Sequence, residues 1–398
     1  MTARIDRRRV LAGIGAAGVA LAAPLPLLAA NTGRATIAKV EAFAVPRAVF
    51  VKLTADDGTT GWGEAGHSGG KLVAEVIRRE LAQIYEGADV FDGDALWARA
   101  YYEIDELGPG GLASQALAGV DCALWDLRGK LLGLPVWALL GGKERASFPV
   151  YGSFSRDLGR GRYMTPDDAA RRAAEMLGEG FTAIKVRMAI REENADPADD
   201  PTLPTARAVR KAIGDSIPLY VDANNGYRAA RAIAVGRALH EELGVSVFEE
   251  PCAMHHYASM AEVSGALDMT IAAGEHEYTP FAFRDLIDHG RPDLLNPDVS
   301  KLSGLTAARH VASLAWLRDL PISVHNARPT LLSAAHAHFV AWAPTASRPQ
   351  EHPGAVRLKE LWRYFRAPLL PKNGVFTVPD APGLGLEPDE AAIRADAA

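Results

Sequence analysis

Cysteine is nearly missing: Cys122 and Cys252 are the only two in 398 residues. That excludes a disulfide framework and any Cys-rich zinc or iron–sulfur site, and nothing in the sequence places the two together. A basic excess is missing as well. With 43 Lys and Arg against 49 Asp and Glu, and a formal charge of −6, the chain lacks the clustered positive charge of a nucleic-acid surface. Gly and Pro are scattered rather than concentrated, and 48% hydrophobic with 23% charged residues describes a folded protein with a large core, not a disordered one. The length accommodates one barrel-sized domain and a smaller partner. Small molecules are the expected ligands.

One long uncharged run is present, VLAGIGAAGVALAAPLPLLAA from Val10 to Ala30, behind the basic stretch RIDRRR at 4–9. A charged n-region before an apolar h-region is the pattern of an export signal. Arg7 and Arg8, one residue, then Val10 and Leu11 match the twin-arginine form. The expected location is therefore the periplasm or beyond, with the membrane involved only through that signal. An uncleaved anchor is the alternative, since 21 uncharged residues are long enough to span, although Pro24 and Pro26 interrupt them. Removing residues 1–30 would take away four Arg and one Asp and bring the charge to −9.

After the signal (1–30), the chain divides into an N-terminal α+β capping domain (31–147), a barrel (148–366) and a C-terminal segment (367–398) expected to return to the cap. Residues 35–66 read as β-branched and aromatic runs broken by the turn signal Asp57-Gly58. Helical spacing follows over 70–104 and 112–132, the second stopped by Gly133 and Pro135. From 148 the rhythm becomes short apolar strands alternating with amphipathic helices: FPVYGS (148–153), FTAIKV (181–186), PLYVDA (218–223), VSVFEE (245–250), MTIAAGE (269–275), LLNPD (294–298), PISVHN (321–326) and a weaker eighth near 347–352. Seven to eight βα units predict a (β/α) barrel, a modified TIM barrel, rather than an open doubly wound sheet. The tail over 369–390 reads as loop with one short strand.

Polar residues recur at the carboxyl ends of those strands: Lys185, Arg187, Asp222, Asn224, Glu249, Glu275, Asp298, His325 and Glu351. From Asp222 onward the steps are 27, 26, 23, 27 and 26 residues, one βα unit each, so all fall on the barrel face that carries catalysis. Asp222, Glu249 and Glu275 offer three hard oxygen ligands for Mg²⁺, with Mn²⁺ as the alternative. Singly each reads as a helix cap or surface acid; in phase at apolar strand ends they read as a metal site. Asp298 and His325 can pair, the carboxylate orienting the imidazole and raising its basicity. Lys185 and Arg187, at i and i+2, share one strand face and can hold a substrate carboxylate or bridge the three acids.

These residues, with the segments GWGEA (61–65), ALWDLRGKLLGLPVWALLGG (123–142), KVR (185–187), VDANNGY (221–227), FEEP (248–251), GE (274–275), NPDVSKLSG (296–304), VHN (324–326) and VPDAPGLGLE (378–387), resemble the mandelate racemase branch of the enolase superfamily. The segments span nearly the whole chain after the leader, in family order. The resemblance implies that Mg²⁺ is bound by Asp222, Glu249 and Glu275, that His325 with Asp298 is the acid/base dyad, and that Lys301 and Glu351 line the site. Asn224 is placed among the substrate contacts. The implied chemistry removes the proton α to a carboxylate and passes through an enediolate. The cap and tail would close the barrel mouth, making Arg47 and His67 candidate substrate contacts; both read equally well as loop residues. The insertion REENADPADDPT (191–202) fits either a rim or a plain surface loop.

One position departs from the family's racemases, which carry a second Lys where this chain has Arg187. Guanidinium stays protonated and shuttles protons poorly. With one competent base, His325 can remove the α-proton and protonate a departing β-hydroxide, so the reading favours dehydration of a sugar acid to a 2-keto-3-deoxy acid. A racemase or epimerase using Lys185 is the second reading, and a non-catalytic periplasmic binder of acid sugars the third. Association into a homo-oligomer stays open.

Overall fold

The computed structural model describes residues 35–66, 69–108, 110–354 and 359–397. The export signal expected at 1–30 and the candidate His67 lie outside the described residues. Among the described residues no helix is long and apolar enough to cross a membrane.

The chain starts with an antiparallel sheet of β1 (Ile37–Val45), β2 (Ala48–Ala55) and β3 (Thr60–Ala65), in that order. The expected turn joins β2 to β3: Gly58 takes a φ of 86° that only glycine adopts freely, and the Thr59 amide donates to Asp57 Oδ1 at 2.8 Å. Helix Leu112–Leu132 packs on β3 almost backbone to backbone. A Cβ at Gly61 would stand 2.3 Å from the Ala123 carbonyl oxygen, and one at Gly63 2.2 Å from that of Gly119, which is why GWGEA needs both glycines. The helix ends as expected, with Gly133 left-handed and Leu134 N–H donating to the Gly129 carbonyl.

The helical stretch expected over 70–104 is not continuous. It runs Gly70–Val76, a π-helical turn Ile77–Leu81, Ala82–Tyr85, and resumes only at Gly93–Glu103. Between them Gly87, at φ 81°, turns the chain so that its amide reaches the Ile37 carbonyl and Val90 N–H that of Ala35. Hydrogen bonding to the outside of β1 outweighs helical periodicity there.

Eight staves follow. Sheet order is β11-β10-β9-β8-β7-β4-β12, parallel throughout, built from β4 (Ser147–Ser155), β7 (Ile184–Arg187), β8 (Leu219–Asp222), β9 (Val245–Glu249), β10 (Thr270–Ala273), β11 (Leu294–Leu295) and β12 (Gln350–His352); β5 (Asp157–Gly159) and β6 (Arg162–Tyr163) form a separate hairpin. The expected strand at 321–326 is a stave without a full ladder. Its backbone bonds Leu295 and Pro297 on one side, but toward β12 it is held by side chains, the Gln350 amide accepting from Val324 N–H and donating to the Ile322 carbonyl. The insertion at 191–202 is anchored rather than loose: the Tyr227 hydroxyl bonds Asp200, and Asp196 accepts from the Arg228 amide.

The tail adds β13 (Val375–Thr377), antiparallel to β4, and then meets the N-terminal elements. The Leu384 amide donates to the buried Asp126, which also receives the Trp62 amide from β3. A helix absent from the sequence reading, Glu390–Asp396, is capped by Asp389 and tied to β2 and β1 through Lys52–Glu390 and Arg394–Glu41. Cys122 and Cys252 are buried and unpaired.

His338, on helix Leu331–Trp342, is fully buried and accepts from the Trp137 amide through Nδ1. Burial pushes its imidazole down from 6.5 to about 4. The unfolded chain therefore binds this proton more tightly, so stability present at neutral pH is lost as pH falls from about 6.5 to about 4, by on the order of 3 kcal/mol. His338→Asn, which keeps an acceptor for Trp137, should flatten the pH dependence of urea melts by that share. An unchanged slope would assign the acid sensitivity to other groups.

Candidate active site

Strand register explains how the charged groups meet. Arg187 on β7 pairs across to Asp222 on β8, and Asp222 to Glu249 on β9. On β7 the alternation turns Ile184 and Val186 to one face and Lys185 and Arg187 to the other. Every member of the set is buried: Lys185, Asp222, Glu249, Glu275, Asp298, Lys301, His325 and Glu351 are each at most 8% exposed.

Lys185 is the central cation. Its Nζ lies 2.7 and 2.8 Å from the two oxygens of Glu249 and 3.2 Å from Glu351 Oε1, below the ring face of Tyr151. Burial works against its charge, but Glu249 and Glu351 more than offset that and hold it protonated well above the ordinary lysine range. Arg187 stands 3.7 Å from Asp222 Oδ2, and neither its Nε nor its Nη1 has a hydrogen-bond partner. Burial lowers its affinity for the proton, and Glu275 and Asp222 raise it further than that.

The carboxylates are unevenly compensated. Burial drives Asp222 up to about 7 and Glu249 to about 8, with Lys185 only partly relieving each. Glu351, equally buried, is brought down to about 2 by Lys185 and His325. Despite its burial, Glu275 is held well below the carboxylate range by His325 and Lys301. Asp222, Glu249 and Glu275 lie close enough to repel one another.

His325 stands between two acids. Nδ1 is 2.7 Å from Asp298 Oδ2, while Nε2 lies 2.6 Å from Glu275 Oε2 in an alignment that leaves both without a hydrogen bond. Burial lowers the imidazole, but Glu275 and Glu351 outweigh it and lift it to about 9. Asp298 is itself fixed by the Ser300 amide and hydroxyl at 2.8 and 2.7 Å, so it can orient the ring.

The donor set fits a hard divalent cation. Glu275 Oε2 is a buried carboxylate oxygen with no hydrogen-bond partner, and Asp222 and Glu249 carry charge that the local cations leave under-compensated. Three such oxygens suit Mg²⁺ or Mn²⁺. Among the described residues a different trio, Glu250, Glu275 and His276, brings ligand atoms within 4.8 Å of one another. It shares Glu275 with the expected set, and Glu249 is turned instead to Lys185.

Several residues differ from the sequence reading. Asn224 spends its amide internally: Nδ2 donates to Asp222 Oδ2, and Oδ1 accepts from the Ala189 amide. It orients a carboxylate where a substrate contact was expected. Arg47 is exposed at the β1–β2 turn and pairs with Glu360 at 2.6 Å. Lys301 lies 3.6 Å from Glu275. Missed altogether were His276, 2.6 Å from Glu250, and Arg328, whose Nη1 reaches Glu64 Oε1 at 3.1 Å. Adjacency to GE and VHN was the only available signal for these.

Lys185→Met strands Glu249 and Glu351 as buried unpaired charges and should cost about 3–5 kcal/mol in denaturant melts of the metal-free protein. Mg²⁺ at a hundredfold excess over its Kd should add about 3 kcal/mol to the wild type and nothing measurable to Glu275→Gln. A Mg²⁺ shift that survives in Glu275→Gln would remove this carboxylate from the ligand set.

Comparison with known proteins agrees with this architecture. The sequence pattern of the mandelate racemase / muconate lactonizing enzyme N-terminal domain matches residues 33–141, and that of the enolase C-terminal domain-like family matches 168–392. The chain is 33% identical to a D-galactarolactone cycloisomerase of Agrobacterium fabrum and 30% identical to a D-galactonate dehydratase of Ralstonia nicotianae, each match covering 87% of this chain and 90% of the relative. A crystal structure of a mandelate racemase/muconate lactonizing protein from Paracoccus denitrificans PD1222, complexed with magnesium, superposes with a TM-score of 0.85 at 38% identity, covering 92% of this chain and 98% of that one. The chain belongs to the mandelate racemase/muconate lactonizing enzyme family of the enolase superfamily.

Proposed function

We propose that this protein is a Mg²⁺-dependent lyase that removes the proton α to the carboxylate of a sugar acid and expels the β-hydroxyl, giving a 2-keto-3-deoxy acid. The observation that carries the reading is the His325–Asp298 pair, with Nδ1 bound to Asp298 and Nε2 turned toward Glu275, an acid of the expected metal set, without a hydrogen bond to it. Asp222, Glu249 and Glu275 would hold the cation. Held there, the cation would supply positive charge where negative charge collects as the α-proton leaves, and would relieve His325 of the Glu275 charge that otherwise keeps the imidazole protonated.

The protein's own groups do the rest. His325 Nε2 takes the α-proton, and Asp298 stabilises the imidazolium. The electron pair of the broken C–H bond becomes a Cα–Cβ double bond as the β C–O bond breaks. The same imidazolium then protonates the departing hydroxide, so water leaves and the enol product ketonises. Arg187, with two unpartnered nitrogens, is free to bind substrate oxygens but cannot act as a base. Lys185 is engaged by Glu249 and Glu351 and stays charged, which supports one-base elimination over two-base racemisation. No observation favours the non-catalytic binder.

A second reading has support: similarity to a cycloisomerase favours a substrate whose leaving β-oxygen belongs to a ring. The first step and its residues are the same. For the localisation, the Arg7-Arg8 leader supports export of the folded protein.

His325→Asn should lower kcat on a turned-over sugar acid by about 10³-fold or more while keeping the Mg²⁺-induced stabilisation. The wild type should show a slower rate with α-deuterated substrate. Retained turnover in the variant would remove His325 from the chemistry.

A further inference from the structure

Glu64 is the acid of GWGEA, on β3 of the N-terminal sheet, and it is fully buried. No water reaches it. Its Oε1 accepts from Arg328 Nη1 at 3.1 Å, and the carboxylate faces the Thr330 side chain and the Leu332 amide at the start of helix Leu331–Trp342. A negative group there meets the positive end of a twelve-residue helix. Arg328 is 5% exposed and lies three residues beyond His325.

From that corner, hydrogen bonds run back to the reacting groups. Arg328 N–H donates to Asn326 Oδ1 at 3.4 Å, and the Ser333 hydroxyl donates to the Arg328 carbonyl at 2.6 Å. Asn326 Nδ2 reaches Ser333 Oγ at 2.9 Å, and the Asn326 amide donates to Glu351 Oε2 at 3.0 Å. This matters because the His325 stave has no ladder on its β12 side, where Gln350 holds it through a side chain. Its carboxyl end therefore depends on the 326–333 corner. Glu64 anchors that corner to a closely packed strand, since neighbouring Gly63 lies directly against the Gly119 backbone.

We propose that Glu64, through Arg328, is a positioning residue for His325 and Glu351, so that the N-terminal sheet sets the geometry of the barrel's acid/base group. It acts through other residues and touches no reacting atom. The proposal rests on the α-proton reading of the site for its kinetic consequence, but not for its structural one.

The test is Glu64→Gln, nearly isosteric but without the charge that balances Arg328. Hydrogen exchange should quicken in the peptide covering 322–333 and stay at the wild-type rate in the staves 184–187 and 219–222. With a turned-over sugar acid, kcat should fall about 10- to 100-fold, with KM and Mg²⁺ affinity within about twofold of wild type. Arg328→Gln should show the same split, and the double variant Glu64→Gln/Arg328→Gln should be no slower than either single one, as for two members of one unit. Arg328→Lys, keeping the charge, should recover part of the rate. Unchanged exchange in 322–333 would overturn the proposal, as would quickened exchange throughout the chain with a lowered Tm, which marks general destabilisation. A wild type that turns over no sugar acid would sink the functional reading alone, and the exchange pattern would still decide this one.

Discussion

The rest of the site depends on how four buried carboxylates share the charge of Lys185, Arg187 and Lys301. Asp222, Glu249, Glu275 and Glu351 approach one another at the barrel mouth with almost no exposure, and Lys185 and Arg187 offset part of their repulsion. Lys185 satisfies Glu249 and Glu351 directly, whereas Arg187 only approaches Asp222. The remaining deficit falls on Asp222 and Glu249, whose proton affinities are raised, and on a Glu275 oxygen that has His325 beside it but no hydrogen bond. The imbalance that makes the cavity costly to fold is the same one that fits it to a divalent ion. His325 currently answers part of it, drawn toward Glu275 as a cation of its own.

Around that centre, the N-terminal elements do more than cover. Asp121 receives the Thr306 amide and hydroxyl, and Trp97 donates to the Ser303 carbonyl, so two helices before residue 133 hold the loop that follows Asp298. Asp126 gathers amides from β3 and from the tail. Glu64 does the equivalent for the loop after His325. The chain just beyond both Asp298 and His325 is thus tied to elements outside the barrel. Separation in sequence is no obstacle, because each tie is a buried polar group that must find its partner.

How much of this is legible in the sequence follows from the range of each signal. The strand-end residues are found because a βα unit repeats at nearly constant length, and Asp222, Glu249, Glu275, Asp298, His325 and Glu351 do meet in one mouth. The stave at 321–326 reads as a strand because it is short and apolar, yet toward β12 side-chain bonds to Gln350 and Glu351 replace a backbone ladder, which the sequence pattern does not register. The helix expected over 70–104 fails at Gly87 because a backbone bond to β1 decides the path. Asn224 is chemically plausible as a substrate ligand, and only its two bonds to Asp222 and Ala189 show that it is spoken for. The Glu64–Arg328 pair spans 264 residues, and no local pattern links its members.

The most direct measurement is a screen of the purified, Mg²⁺-loaded full chain against a panel of sugar acids, with 2-keto acid formation followed by semicarbazide absorbance. The account predicts a signal from at least one acid bearing a hydroxyl on the carbon next to the α-carbon. Silence across the panel with Mg²⁺ shown to be bound, together with no deuterium entering the α-position from heavy water, would contradict it.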